Sequence, residues 1–295
     1  MTTSCGARPR LAVLGLTALA ACAAPPAHDV DFTAPALAAQ MQRRPVVLLG
    51  EIHDNASQHA VRAQALALLL RSGARPALAF EQFDREQQAD IDRIRGRLRV
   101  DGVDRAGELA ALGARGWGWD LYRPYLELAL QYDLPIVAAN LSRADAMRVA
   151  KDGFGAVFSP TEQRELGLDA LPPGLLRAQQ QAVDDGHCHR LAGDMLPALA
   201  RAQIARDATM ARAIEPQLQR GVVLLTGNGH ARRDIGVPYF LPAPQRERII
   251  SIALIERGQV DDAGVPYAYD AVFRTPVQAR ADPCLSLPPE PPGRG

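Results

Sequence analysis

Pro45-Val-Val-Leu-Leu-Gly50 runs without a break into Glu51-Ile-His53-Asp-Asn55, so a continuously apolar stretch ends abruptly in carboxylate, imidazole and amide side chains. Apolar and polar residues do not alternate there. The stretch therefore predicts a strand covered on both faces, and the helical pattern over 56–72 supplies one of the covers. The same unit recurs. Ala77-Leu-Ala-Phe80, Pro135-Ile-Val-Ala-Ala139 and Gly221-Val-Val-Leu-Leu-Thr226 read as further strands, and Arg248 to Ile255 as a fifth. Between them lie helical patterns at 85–99, 122–133, 142–151, 161–183 in pieces and about 190–219. Strands alternating with helices predict an α/β fold with a mainly parallel central sheet flanked by helices, and a site at the carboxyl ends of the strands.

The residue that follows each strand points to that edge. The first strand runs into Glu51 and His53, the second into Glu81, the third into Asn140, and the fourth into Gly227-Asn228-Gly229-His230. The chain has only three asparagines, Asn55, Asn140 and Asn228, and all three fall there. Glu51 and His53 are two apart, so extended backbone points them the same way. The blander reading is a strand-end pair satisfied by helix N-termini. A carboxylate closing an apolar strand, as Glu81 does, must be paired or metal-bound if it is buried. Asn140 reads equally well as a cap for the helix that starts near Ser142. The glycines of 227–230 allow a ligand to approach the backbone closely, or simply a sharp turn. His59 lies on the helix after the first strand and faces either the site or solvent. His187 and His189 flank Cys188 like a metal cluster, but without a fourth ligand nearby they read as loop residues.

Composition narrows the function. With 295 residues, 47% hydrophobic and 22% charged, the chain has ample material for a core, which excludes a wholly disordered protein. Thirty-three Lys+Arg balance 33 Asp+Glu, so no basic excess drives nucleic-acid binding. Aromatics at 5% argue against a stacking platform for bases or sugars. Lys151 is the only lysine, and neither a phosphate-loop motif nor Gly-x-Gly-x-x-Gly follows a strand. Gly-x-Ser-x-Gly is absent too. Glutamate and histidine without a Ser or Cys nucleophile point to a metal ion or an iron-bearing cofactor.

The N-terminus reads as an address. Arg8 and Arg10 precede the apolar run from Leu11 to Leu19, which ends in Ala20-Ala21-Cys22. That order describes an export signal too short to span a bilayer. Leu19-Ala-Ala-Cys22 resembles a bacterial lipobox, with Cys22 as the lipidated residue; an export signal without lipid is the alternative. The expected organisation is a signal peptide over 1–21, lipidated Cys22 and a tether over 22–43, one domain over 44–276, and a Pro-rich disordered tail over 277–295. Cys188 and Cys284 remain as thiols that an oxidising compartment would let pair.

Taken together, these segments resemble the ChaN-like haem-binding lipoprotein family. The resemblance rests on Leu49-Gly-Glu-Ile-His-Asp-Asn55, Phe80-Glu-Gln-Phe83, Trp119 with Tyr122-Arg-Pro-Tyr125, and Ala139-Asn-Leu-Ser-Arg143. It continues through Ala202-Gln203, Arg206-Asp-Ala-Thr-Met-Ala211, Gly227-Asn-Gly-His-Ala231 and Gly236-Val-Pro238. It spans about residues 45–275 and extends to Tiki/TraB proteins and erythromycin esterases. The resemblance implies a lipid-anchored outer-membrane protein facing the periplasm, which binds haem and works with outer-membrane haem or iron uptake components. It also implies a homodimer with paired haems and a tyrosine iron ligand, for which Tyr122, Tyr125 and Tyr239 are candidates. The expected haem-site set is then Glu51, His53, Asn55, His59, Glu81, Asn140, Asn228 and His230 with these tyrosines. His53 and His230 are the histidine candidates for metal, and Arg123, Arg232 and Arg233 the candidates for the propionates. Two other readings stand beside it: a metal-dependent hydrolase holding a divalent ion on Glu51, His53, Glu81 and His230, and an envelope scaffold with a vestigial site.

Overall fold

A computed structural model describes Met1 and residues 29–30, 32–97, 102–114, 116–259 and 268–286. The signal segment, Cys22 and residues 287–295 lie outside the described residues. Among the described residues seven strands form one sheet: β1 Asp29–Val30, β2 Val46–Leu49, β3 Ala77–Asp84, β4 Ile136–Asn140, β5 Val222–Leu225, β6 Ile249–Glu256 and β7 Ala271–Thr275. Their order is β1-β7-β6-β2-β5-β3-β4, and every pairing is parallel. Each residue of β2, β5 and β6 is buried, as the uninterrupted apolar runs of β2 and β5 require, and β6 buries Ser251 and Glu256 along with its apolar residues.

Two faces need two covers. Val47, Leu49, Leu78, Phe80, Val223 and Leu225 point to one side. There they pack under α1 Ala34–Met41, α2 Ala56–Arg71, α3 Gln88–Arg95, α4 Arg105–Leu112 and α5 Trp119–Gln131. Val46, Leu48, Ala77, Ala79, Val222 and Leu224 point to the other. The remaining helices are α6 Arg143–Asp152, α7 Pro160–Glu165, α8 Pro173–Gly186, α9 Met195–Ile214, and the short α10 Asn228–Ala231, α11 Val237–Phe240 and α12 Ala243–Arg246. Of these, α9 covers the second face with Met210, Ala211 and Ile214, and its earlier turns pack with α6 in a third apolar cluster.

The register determines what meets at the carboxyl edge. Leu49 pairs with Leu225, and Leu225 with Phe80. The residues just beyond them, Gly50-Glu51, Thr226-Gly227 and Glu81, therefore emerge side by side.

Three boundaries differ from expectation. Residues 34–41 form a helix with Leu37, Ala38 and Met41 buried, so the fold begins before residue 44 and the expected tether is shorter. β3 continues past Phe80 to Asp84, through an irregularity that lets Asp84 pair with Asn140. The described part of the expected tail, 277–286, is clasped rather than free. Arg280 forks onto Glu256 at 2.7 and 2.9 Å and reaches Asp54 at 2.8 Å, while the Gln278 amide accepts from Ala56 N and donates to Asp54 O. Cys188 at the end of α8 is bonded to Cys284 across 96 residues, and Arg190 donates to the Cys284 carbonyl.

A cross-link closing so long a loop constrains the unfolded chain. The C284S variant is expected to lose about 2–4 kcal/mol of stability. Urea midpoints with and without reductant check this: the reductant should lower the parent to the variant's midpoint and leave the variant unchanged.

Candidate functional site

Gly50 is where β2 leaves the sheet. A Cβ there would stand 2.3 Å from Asn228 Oδ1 and 2.8 Å from the Ile252 carbonyl, so the close passage requires glycine. Beyond it the Glu51 side chain turns inward and is 2% exposed. The first turns of α2 receive it. Asn55, Gln58, His59 and Arg62 lie on the same helix face as Ala65, Leu66 and Leu69, so the buried stripe of α2 starts polar and ends apolar. Arg62, with no exposed surface, donates to Glu51 Oε2 and, at 2.8 Å, to the Leu49 carbonyl. Tyr122 donates its hydroxyl to Glu51 Oε1, and His53 Nδ1 lies 2.8 Å from the same oxygen. His59 Nε2 donates to the His53 carbonyl at 3.0 Å; burial pushes its pKa down to about 4, so the ring is neutral.

A second buried network adjoins the first. Glu81 Oε2 accepts from Thr226 Oγ1 and from Gly227 N, both at 2.8 Å. Its Oε1 lies 3.5 Å from His230 Nε2, and His230 Nδ1 lies 2.6 Å from Asp207 Oδ1. Burial alone would discharge His230, but Asp207 and Glu81 on either side of the ring outweigh it and push its pKa up to about 10. Burial pushes Asp207 up to about 6. Glu81, despite its burial, is held well below the usual carboxylate range by His230 and the Gly227 amide. An imidazolium clamped between two carboxylates thus closes the second cluster.

His53 lies between the two. Its side chain is 44% exposed, and its ring meets Trp117 edge-on at 4.7 Å. A Cβ on Gly227 would stand 3.1 Å from His53 Nε2, so a larger residue at 227 would crowd the ring. Nε2 makes no hydrogen bond among the described residues, whereas Nδ1 is fixed on Glu51.

A family model described as haem-binding uptake, Tiki superfamily, ChaN matches residues 37–241. The chain belongs to this family. Among solved structures it is similar to ChaN of Campylobacter jejuni with cofacially bound haem. The two are 18% identical at a TM-score of 0.61, covering 80% of this chain and 89% of that one. An erythromycin esterase mutant in its open conformation is 14% identical at a TM-score of 0.42, covering 79% and 76%. No curated protein matches in sequence.

The other expected site residues of this ChaN-family chain divide into those that join the networks and those that hold the fold. Asn140 does not cap α6, which Ser142 does; it donates to the Glu81 carbonyl at 2.8 Å and accepts from Arg206 at 2.9 Å. Asn55 caps α2 and grips Glu256, and Asn228 bonds Leu254 through both its amide atoms. Tyr125 is fully buried, with its hydroxyl on the His59 carbonyl. Tyr239 packs on Phe240 and under Arg246, on α11. All three expected propionate partners are already paired: Arg123 with Asp104 and Glu127, Arg232 with Asp234, and Arg233 with Asp270. Among the described residues no group of three or more His, Cys, Asp or Glu is placed to hold a metal ion, which leaves the divalent-ion alternative without support. Arg62, Asp207, Thr226 and Trp117 belong to the site although sequence reasoning passed over them.

Two tests follow from the networks. Breaking a buried ion pair leaves its partner's charge uncompensated, so R62M should cost about 3–5 kcal/mol. Adding E51Q to R62M should recover part of that loss in denaturant titrations, because the orphaned charge is gone. The second test is a pH profile. Between pH 6.5 and about 4 the unfolded chain binds a proton that folded His59 refuses, so stability falls on acidification. Between pH 6.5 and about 10 folded His230 keeps a proton that the unfolded chain has released, so stability falls on alkalinisation. Melting temperatures should show both limbs, and H230Q should flatten the alkaline one.

Proposed function

We propose that this chain is a haem-binding envelope lipoprotein that takes part in haem or iron uptake, and that His53 offers Nε2 to the haem iron. The observation that carries the assignment is the asymmetry of the His53 ring. Its Nδ1 is bonded to a buried carboxylate, while its Nε2 makes no hydrogen bond among the described residues and the side chain is half-exposed. A carboxylate behind an imidazole fixes the tautomer and raises the basicity of the other nitrogen, which is how histidine ligands of metals are commonly held. Trp117 offers an apolar flank beside the ring for a porphyrin. Tyr122 and Tyr125 fit a ligand role less well, since both hydroxyls are buried and engaged.

Envelope placement is supported by the lipobox ending at Cys22 and by the Cys188–Cys284 disulfide, which suits an oxidising compartment. ChaN of Campylobacter jejuni binds haem cofacially. Carried over to this chain, that arrangement makes the functional unit a homodimer with the His53 faces towards each other, passing haem to outer-membrane uptake components.

Haemin titration followed by absorbance tests the reading. Saturable binding with a sharp Soret band is expected. H53A should shift the band and weaken binding, and E51Q should weaken binding by about tenfold or more through the loss of ring orientation. An unchanged spectrum in H53A would remove the ligand assignment and leave haem binding standing, while failure of the parent to saturate would remove both.

A further inference from the structure

We propose that Arg206 and Arg143, at the β4 end of the carboxyl edge, receive the two propionates of the haem whose iron meets His53. The inference rests on the haem reading above, which leaves those carboxylates without partners, because Arg123, Arg232 and Arg233 are engaged in ion pairs. Arg206 reaches the edge from α9. Its Nη1 donates to Asn140 Oδ1 at 2.9 Å and to the Leu141 carbonyl at 3.2 Å, and these neutral acceptors fix the guanidinium on the segment that leaves β4. Its Nε and Nη2 make no hydrogen bond, and the group makes no ion pair, among the described residues. Arg143 is the first residue of α6, three beyond Asn140. It is exposed, and its side chain makes no hydrogen bond or ion pair among the described residues.

Carboxylates lie near this corner as well. Burial pushes the Arg206 pKa down, Glu81, Asp84 and Asp207 push it up, and Arg143 pushes it down again. None of the three carboxylates comes within ion-pair distance of Arg206. Glu81 and Asp207 are buried and hold His230 between them, so their charge is met inside the protein. Two neighbouring guanidinium groups repel each other, and carboxylates that bind their forks relieve the repulsion. The distance from His53 suits such a ligand. His53 follows β2 and Asn140 ends β4, and the order β2-β5-β3-β4 puts three strand spacings, about 14 Å, between those strands. A porphyrin holds iron at its centre and both propionates on one side of its rim. Partners for the propionates therefore have to share the edge with the iron ligand while standing well away from it.

The test titrates the full chain with haemin and with haemin dimethyl ester, in which both propionates are esterified and uncharged. The parent should bind haemin about tenfold more tightly than the ester, or better, as a charge-assisted hydrogen bond provides. R206M and R143M should each lose much of that preference by weakening haemin binding alone, with the Soret maximum unchanged because the iron ligand is untouched. R206K keeps the charge but not the fork and should recover the preference only in part. H53A should weaken both compounds alike and keep their ratio. Thermal melts check folding; R143M replaces an exposed side chain without a bonded partner, so it reads the site even where R206M disturbs Asn140. Equal binding of haemin and ester by the parent, or an unchanged preference in R143M and R206M, would overturn the propionate site and leave haem binding standing. A shifted Soret band in R206M would place Arg206 at the iron and overturn its assignment to the rim. Failure of the parent to saturate with haemin would remove the haem reading and this inference together.

Discussion

The Glu51 carboxylate, buried just beyond the end of β2, is the constraint on which the site depends. A lone charge in that position would be neutralised by a shifted pKa or would pull water into the core. Arg62 prevents both, because α2 begins directly after the loop that carries Glu51 and places residue 62 beside it. Having fixed the carboxylate, the pair can hold other groups at defined angles: Tyr122 from α5 and His53 from the loop both converge on Oε1. The packing of α2 and α5 on the sheet is therefore coupled to the orientation of one exposed imidazole.

The Glu81–His230–Asp207 cluster divides the labour differently. There the histidine is the central cation, held on both sides, and no ring nitrogen is left for a ligand. Two histidines that look alike in sequence, each beside a glycine-containing strand end, thus acquire opposite roles. His230 is a charged internal strut, and His53 is the group with a nitrogen to offer.

Much of this was legible in the residues. Apolar runs at 46–49, 77–80, 136–139 and 222–225, and one at 249–255 broken only by Ser251, locate β2 to β6, because burial on both faces favours such a pattern. β1 and β7 escape: one is two residues long, and the other is interrupted by Arg274. Helix α1 reads as tether in the sequence because Ala-Pro-Ala-Leu-Ala-Ala-Gln-Met shows no polar face to contrast with its buried one. Asn140 and Asn228 lie at the ends of β4 and β5 and Asn55 caps α2, and Asn55 and Asn228 complete backbone hydrogen bonding, a task that scarcity cannot distinguish from ligand binding. Arg62 and Asp207 were hidden for a different reason. Each interrupts an apolar helix face with a charge, and in a chain whose cations are nearly all arginine one more on a helix reads as surface.

The two edges of the molecule differ in charge for a reason contained in the topology. When every strand runs the same way, the crossover helices run back, so their N-termini gather at the carboxyl edge and their C-termini at the amino edge. Partial positive charge at the first edge favours carboxylates, and Glu51 and Glu81 lie there, with Glu81 taking the Gly227 amide directly. Partial negative charge at the second favours cations. The arginines follow the ends of α1, α2 and α9, and Arg75 donates to a last-turn carbonyl of α2. At the carboxyl edge the carboxylates are then neutralised from within by Arg62 and His230, whereas Arg44 and Arg220 make no ion pair among the described residues. A parallel sheet thereby yields one face whose buried carboxylates are satisfied from within around an exposed imidazole, and another where arginines gather.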